Sequence, residues 1–184
     1  MAASRSEFER LILPHLGAGY SLARWLLRHP QDAEDAVQSA ALKAFNAFHS
    51  YAGGNAQAWL LAIVRNTCLT MLERRRSESK VVVLEDAILG ADRFRDNAPD
   101  PVPLADAALV TEEERRKVWL AIATLPVQFR EVLVLREFHD LSYREIADVV
   151  GAPVGTVMSR LARARERLAV ELAELKIRSG TRTS

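Results

Sequence analysis

One segment, LSYREIADVVGAPVGTVMSRLARARERL (residues 141–168), constrains the fold of this chain more than any other. Its first part has apolar residues at helical spacing, which gives a short helix one buried face: Leu141, Ile146, Ala147 and Val150. Gly151 follows, at the position where a helix commonly ends in a left-handed residue. Pro153 sits at the next helix entrance, where its missing N–H costs nothing. The pattern predicts two helices joined by a tight turn, a helix-turn-helix.

The second helix of this pair is predicted to pack through one narrow stripe, formed by Val157, Leu161, Ala164 and Leu168. Ser159 and Arg163 lie nearly opposite that stripe, with Gly155 and Ala162 beside them. An arginine at the outward centre suits the reading of base edges, because arginine can donate two hydrogen bonds to guanine. This face therefore indicates contact with duplex DNA in the major groove.

An adjoining flank of the same helix consists of Thr156, Arg160 and Arg167. Its two arginines are better placed for phosphates, which position a protein without reporting sequence. A run of arginines is also typical of a solvated helix face, but the preceding turn and helix favour DNA contact. The net charge of the chain is only +1, whereas residues 154–184 hold 7 basic and 3 acidic side chains. Basic charge is thus concentrated where a DNA footprint requires it.

The rest of the chain reads as helical. It has only 8 Gly and 7 Pro and few β-branched runs. We expect an all-α fold of two small helical domains, residues 1–76 and 112–184, with the helix-turn-helix in the second. An acidic linker, residues 77–111, is expected to be extended because three prolines alternate in PDPVP. The single cysteine, Cys68, excludes a disulfide framework and lies in an apolar pattern, which predicts a buried thiol.

Several functional classes find no support. The 4 histidines are scattered without metal-ligand spacing, and no P-loop, GxGxxG motif or nucleophile elbow is present. We therefore expect no enzyme, no metal and no cofactor. No apolar stretch of 18 residues and no signal peptide occurs, which predicts a soluble, cytoplasmic protein without membrane insertion.

The first predicted domain, residues 1–76, has two polar surfaces. One helix face is acidic and amide-bearing, and it is either ordinary helix N-terminal charge or a docking surface for a basic helix of a partner: Asp32, Glu34, Asp35 and Gln38. The other surface is a Gly-Gly loop between Tyr51 and Trp59, followed by a helix with Arg65, Asn66 and three terminal arginines. Stacking on aromatic rings and phosphate contacts suit single-stranded DNA, although Trp59 is also typical of a hydrophobic core.

Three segments together resemble bacterial sigma factors of the extracytoplasmic-function type: DAEDAVQSAALKAFNAF (32–48), AWLLAIVRNTCLTMLERRR (58–76) and LPVQFREVLVLREFHDLSYREIADVVGAPVGTVMSRLARARERL (125–168). The resemblance implies a factor that binds core RNA polymerase and directs promoter-specific transcription initiation, for a stress or envelope response. It also implies an anti-sigma factor as a partner.

The resemblance assigns three sets of residues. It implies that the clamp of the polymerase's largest subunit is contacted by Asp32, Glu34, Asp35 and Gln38. It implies that a base flipped from the melted −10 element is captured by His49, Ser50, Tyr51, Asn55, Arg65 and Asn66. It implies that the duplex −35 element is read by Gly155, Thr156, Met158, Ser159, Arg160, Ala162, Arg163 and Arg167.

The chain departs from many relatives at Met158 and Ala162, where a long basic or an aromatic residue is common, so no promoter sequence can be carried over. Two other functions remain open. A helix-turn-helix regulator that binds duplex DNA as a dimer would leave the first module without a role. A sigma-mimicking adaptor that binds an anti-sigma factor usually carries a receiver domain and degraded DNA contacts, whereas this chain keeps Ser159, Arg160 and Arg163.

Overall fold

The computed structural model describes residues 2–79 and 111–180, with side chains over 5–77, at 111 and over 113–174. These ranges contain no β-strand and eight α-helices: α1 Ala2–Ile12, α2 Leu16–Leu27, α3 Pro30–Ala47, α4 Ala56–Ser79, α5 Glu112–Thr124, α6 Val127–Glu137, α7 Tyr143–Val150 and α8 Val154–Gly180. Short 3-10 turns, Leu13–His15 and Phe48–Ser50, follow α1 and α3.

The chain divides into two compact units, residues 1–102 and 103–184. The predicted all-α class, with two helical domains and a helix-turn-helix in the second, is confirmed. The prediction of an extended linker falls almost entirely on residues 80–110, outside the described ranges. Within those ranges, no helix combines the length and hydropathy needed to cross a bilayer.

In the first unit α2, α3 and α4 pack against one another. The buried face of α3 consists of small residues at helical spacing, which lets its neighbours approach closely: Ala33, Ala36, Ala40 and Ala44. Gly19 on α2 serves the same purpose, since a Cβ there would lie only 3.2 Å from Val64 Cγ2 of α4. A side chain at position 19 would therefore press on Val64, which would have to shift by a few tenths of an ångström to admit it.

The buried side of α4 faces both α2 and α3. Its innermost residues are Leu60, Leu61, Val64, Thr67 and Cys68, whereas the apolar Trp59, Ile63, Leu69 and Leu72 are only half-buried. Cys68 is buried as predicted, and burial raises the pKa of its thiol to about 12.

In the second unit, local capping signals fix where the helices begin. Thr111 and Glu114 form the capping box of α5, and Ser142 and Glu145 form another for α7. Gly151 ends α7 with φ +65°, the left-handed conformation expected of it. α6, α7 and α8 pack on one another, and α7 with α8 forms the helix-turn-helix.

Candidate nucleic-acid and partner surfaces

α8 has the buried stripe predicted for it. Val157, Leu161 and Ala164 are buried and Leu168 is half-buried. The eight residues predicted to read DNA all lie outside that stripe. Six are exposed (Gly155, Met158, Ser159, Ala162, Arg163 and Arg167), and two are half-buried (Thr156 and Arg160).

The arginines of α8 are not equivalent. Arg163 is exposed, and within the described residues it makes no ion pair or hydrogen bond. Arg160 has a side chain only 26% exposed, and its Nη1 lies 3.5 Å from Oε1 of Glu131, a residue of α6 that is 2% exposed. The Arg160 guanidinium is therefore paired with a buried carboxylate of its own unit, whereas that of Arg163 is available to a ligand.

Sequence reasoning missed Glu131. The signal was a charged residue within the apolar run of α6, FREVLVL, where a carboxylate needs a cationic partner once it is buried. Its neighbour Arg130 is buried too, and it donates hydrogen bonds from Nη1 to the carbonyl oxygens of Ala123 and Leu125, at 2.8 and 3.1 Å. α6 thus carries two buried charged groups that connect it to α5 and α8.

Two further arginines of α8 contact other helices. The Arg167 guanidinium lies 5.0 Å from the centre of the Phe129 ring, a cation–π contact that leaves the side chain exposed. Arg165 donates to Glu137 Oε1 at 2.7 Å, and this hydrogen bond raises the pKa of Arg165. Arg165 therefore gives α8 a second ionic contact with α6, in addition to that of Arg160 with Glu131.

The loop between α3 and α4 is held by short-range hydrogen bonds. Ser50 Oγ donates to the Ala47 carbonyl at 2.6 Å, and Tyr51 Oη donates to the Gly54 carbonyl at 2.7 Å. Asn55 Oδ1 accepts from the Ala58 N–H at 3.1 Å, so Asn55 caps α4. His49 Nδ1 lies 2.9 Å from the Asn46 carbonyl oxygen.

The glycines and aromatics of this loop leave room beside its backbone. Gly53 and Gly54 have φ of +90° and +93°, and a Cβ on either would meet no atom within 4 Å. The Tyr51 ring stacks on Phe48 at 5.8 Å between centroids and meets Trp59 at 5.3 Å, and both Tyr51 and Trp59 stay half-buried. The aromatic cluster therefore belongs partly to the fold and partly to the surface.

Arg65 and Asn66 are not part of that loop. They lie on α4 roughly 15 Å along the helix axis from Asn55, at about 1.5 Å per residue. Arg65 Nη1 donates to Asn66 Oδ1 at 3.2 Å, and Asn66 is exposed. The six residues assigned to one base-binding site therefore form two groups on the same unit.

The acidic face of α3 is also divided. Glu34, Asp35 and Gln38 are exposed. Asp32 has a side chain only 17% exposed and is bonded by Arg75 of α4, with His29 Nδ1 3.6 Å from its other oxygen. Asp32 thus joins α3 to α4, and Arg75, one of the three terminal arginines, is engaged within the unit.

The exposed side of α3 also carries apolar residues, which the sequence did not lead us to include in the docking surface. Leu42 is 68% exposed and Phe45 is 48% exposed, although Phe45 packs edge-on against Phe8. Gln38, Leu42 and Phe45 are spaced four and three residues apart, which places them on one side of the helix. We call the five exposed residues the α3 face: Glu34, Asp35, Gln38, Leu42 and Phe45.

Among the described residues, no group of three or more His, Cys, Asp or Glu side chains could hold a metal ion.

Comparisons with known proteins assign both units. Residues 11–78 match the family Sigma-70 region 2, and residues 115–168 match Sigma-70, region 4. The RNA polymerase sigma-H factor of Pseudomonas aeruginosa is 35% identical over 165 residues, which cover 88% of this chain and 83% of that protein. The ECF RNA polymerase sigma-E factor of Escherichia coli K12 is 38% identical over 140 residues, which cover 74% and 72%.

Two solved structures are similar in fold. The first is the sigma factor RpoE in complex with the anti-sigma factor NepR from Bartonella quintana, with a TM-score of 0.71, 27% identity and coverage of 91% of this chain and 97% of that one. The second is CnrH in complex with the cytosolic domain of CnrY, with a TM-score of 0.62, 23% identity and coverage of 92% and 90%.

Proposed function

This chain belongs to the sigma-70 family as a sigma factor of the extracytoplasmic-function type that directs transcription initiation, and from that premise we propose which of its surfaces bind core RNA polymerase and promoter DNA. The observation that carries the proposal is the state of Arg163 on α8. It is an exposed cation with no ion pair or hydrogen bond in the described part of its unit, and it lies on the outward side of the second helix of a helix-turn-helix.

The duplex −35 element binds the N-terminal half of α8. Arg163 and Ser159 meet base edges in the major groove, where arginine discriminates guanine by a pair of hydrogen bonds. Arg167 and the part of Arg160 that faces solvent meet phosphates, which set the register of the protein on the duplex. Gly155 has no side chain and Ala162 has only a methyl group, so the helix can approach the bases closely at both positions.

Core polymerase binds the α3 face. Its N-terminal end offers two exposed carboxylates, Glu34 and Asp35, and its C-terminal end offers apolar surface at Leu42 and Phe45. A partner helix with basic residues at one end and apolar residues at the other would complement both ends, as in recognition of an amphipathic helix. We assign that partner to the clamp of the polymerase's largest subunit. Asp32 supports this surface by joining α3 to Arg75.

The melted −10 element binds the loop after α3. Open space beside Gly53 and Gly54 gives a flipped base access to the backbone, and the Tyr51 ring offers a stacking surface. His49, Ser50 and Asn55 shape this loop through their backbone contacts. Arg65 and Asn66, farther along α4, are placed for the flanking single strand.

Transcription from purified components tests the proposal. The chain and core polymerase are combined on a library of promoter fragments, and run-off transcripts are mapped. We expect transcripts from a restricted set of start sites, with none from core polymerase alone. Sequence-specific duplex binding by a dimer without core polymerase, and no transcripts, would favour a helix-turn-helix regulator. Binding to an anti-sigma factor without promoter activity would favour an adaptor.

An anti-sigma factor is the proposed inhibitor, and the cytoplasm, where RNA polymerase works, is the proposed location. Support for the inhibitor comes from the similar sigma factor RpoE of Bartonella quintana, whose structure is a complex with the anti-sigma factor NepR. A cover over the α3 face would exclude core polymerase by direct competition. The inducing signal would then act on the inhibitor and not on this chain.

A further inference from the structure

The outward side of α8 carries an apolar ridge as well as a polar one. Val154, Met158 and Ala162 are spaced four residues apart, so they follow one another along the helix. All three are exposed, Val154 by 39% and Met158 by 53%. The polar ridge runs beside them through Gly155, Ser159 and Arg163 at the same spacing.

This apolar ridge occupies the part of the helix that enters DNA. In a helix-turn-helix the N-terminal residues of the second helix contact base edges, and Val154 is the first residue of α8. Met158 follows one turn later and cannot donate a hydrogen bond, since its thioether is at most a weak acceptor. The ridge therefore meets the groove floor without the hydrogen-bonding groups that read guanine, adenine or cytosine.

One group on a base edge matches such a surface. In the major groove, thymine presents a C5-methyl group, and apolar side chains recognise it by contact. We infer that Met158, supported by Val154, reads the methyl group of a thymine in the duplex element that α8 binds. The inference rests on the proposed function, because it requires α8 to lie in the major groove. Arg163 and Ser159 would read neighbouring base pairs by hydrogen bonds.

The flexibility of methionine fits this task. Its unbranched side chain can adjust to a methyl group whose position varies with local DNA geometry. Burying one methyl group is worth about a three- to five-fold gain in affinity. That gain is large enough to set a preference at one base pair without dominating the overall binding.

The test replaces thymine by deoxyuridine, which removes the methyl group and keeps every hydrogen-bonding group. Duplexes are first selected from a randomised pool by the chain together with core polymerase. Each thymine of the selected −35 sequence is then changed singly to uracil. We expect a three- to five-fold loss of affinity at one or two positions and no change at the others.

Substitution of Met158 identifies the reader. Met158→Gln should bring the thymine-to-uracil affinity ratio at that position to about one, whereas Met158→Leu should keep it. Val170→Gln is the matched control, because Val170 is an exposed apolar residue of α8 that lies about 18 Å farther along the helix. Its thymine-to-uracil ratio should equal that of the unchanged protein.

Two failures are distinguishable. If no sequence is selected, α8 does not read duplex DNA and the proposed function fails. If a sequence is selected but is indifferent to uracil at every thymine, or holds only G·C pairs, the inference about Met158 is overturned while the proposed function stands. A ratio that persists in Met158→Gln would also overturn it, since another residue would then contact the methyl group.

Discussion

At the scale of single residues, the pairing of Arg160 with Glu131 changes what a substitution on α8 reports. Glu131 is 2% exposed and lies 3.5 Å from Arg160. Removing one partner of a buried pair leaves the other charge uncompensated, which costs far more than the pair contributes. A loss of DNA binding in an Arg160 variant would therefore mix loss of a phosphate contact with loss of folding. Arg163 carries no such complication.

We expect Arg160→Ala to lower the free energy of unfolding by roughly 1–3 kcal/mol, because it removes a cation that lies 3.5 Å from the buried Glu131 carboxylate. The double variant Arg160→Ala/Glu131→Gln should recover part of that loss, since the buried group is then neutral.

The Arg163→Ala variant should change the free energy of unfolding by less than about 0.5 kcal/mol and should lose roughly 1–3 kcal/mol of base discrimination. Denaturant unfolding and binding to sequence variants measure both. Equal loss of affinity on all sequences in Arg163→Ala would remove it as a base reader.

His139 makes the stability of the second unit depend on pH. Burial lowers the pKa of His139 from 6.5 to about 4, with Asp140 acting weakly in the opposite direction. Between pH 6.5 and about 4, His139 is protonated in the unfolded chain but stays neutral in the folded chain. The stability contributed by the neutral ring is therefore complete above pH 6.5 and is lost as pH falls from 6.5 towards 4.

This loss should reach about 3 kcal/mol by pH 4, from the difference between the two pKa values. The check is denaturant unfolding at several pH values for the unchanged chain and for His139→Gln, whose side chain does not titrate. The variant should lose less stability across that pH window. Parallel pH profiles of the two proteins would show that another group is responsible.

At the scale of elements, the turn of the helix-turn-helix depends on the left-handed backbone of Gly151. A Cβ added there would meet nothing within 4 Å, so any cost of Gly151→Ala comes from the backbone alone. We expect a loss of roughly 1 kcal/mol in the free energy of unfolding, because residues with a Cβ disfavour this conformation.

Gly155→Ala is the matched control in the same unit. Gly155 lies within α8, and its added Cβ would also meet nothing within 4 Å. There the substitution should stabilise the chain by about 0.5–1 kcal/mol, since alanine favours helix. Thermal or denaturant unfolding of both variants shows whether each substitution lowers or raises the free energy of unfolding. Changes of the same sign would contradict the assigned backbone geometries.

At the scale of the whole molecule, the proposed function divides between the two units. The α3 face lies in the first and the reading side of α8 in the second, and each unit has its own buried core. Substitutions confined to exposed residues of one unit should therefore remove one activity and keep the other. Asp32 is unsuitable for this purpose, because its contact with Arg75 contributes to the packing of α3 on α4.

We expect Glu34→Lys/Asp35→Lys to abolish co-elution with core polymerase while helix content and melting temperature stay unchanged, because both side chains are exposed. The Arg163→Ala variant should still form the complex with core polymerase but should discriminate less between promoter sequences. The Asp32→Lys variant, by contrast, should lower the melting temperature, since it places a second cation beside Arg75. Normal complex formation by Glu34→Lys/Asp35→Lys would exclude these two residues from the interface.

The sequence by itself determined the helical class and the helix-turn-helix, and three of its segments together indicated the family. The helix-turn-helix follows from local signals: the apolar spacing of α7 and α8, the capping box of α7, and Gly151 at a helix end. Each depends on residues within one or two helical turns, where periodicity and backbone preference act directly. The buried stripe of α8 and the exposure of Arg163 could be predicted for the same reason.

Only the tertiary structure decided which charged residues pair with one another inside a unit. Asp32 meets Arg75, and Glu131 meets Arg160, across gaps of 43 and 29 residues. The exposure of Leu42 and Phe45 likewise depends on what α3 leaves uncovered. Helical periodicity states which residues share a side of one helix, but the angle and offset at which two helices pack decide which side chains meet, and those come from the fit of the whole core.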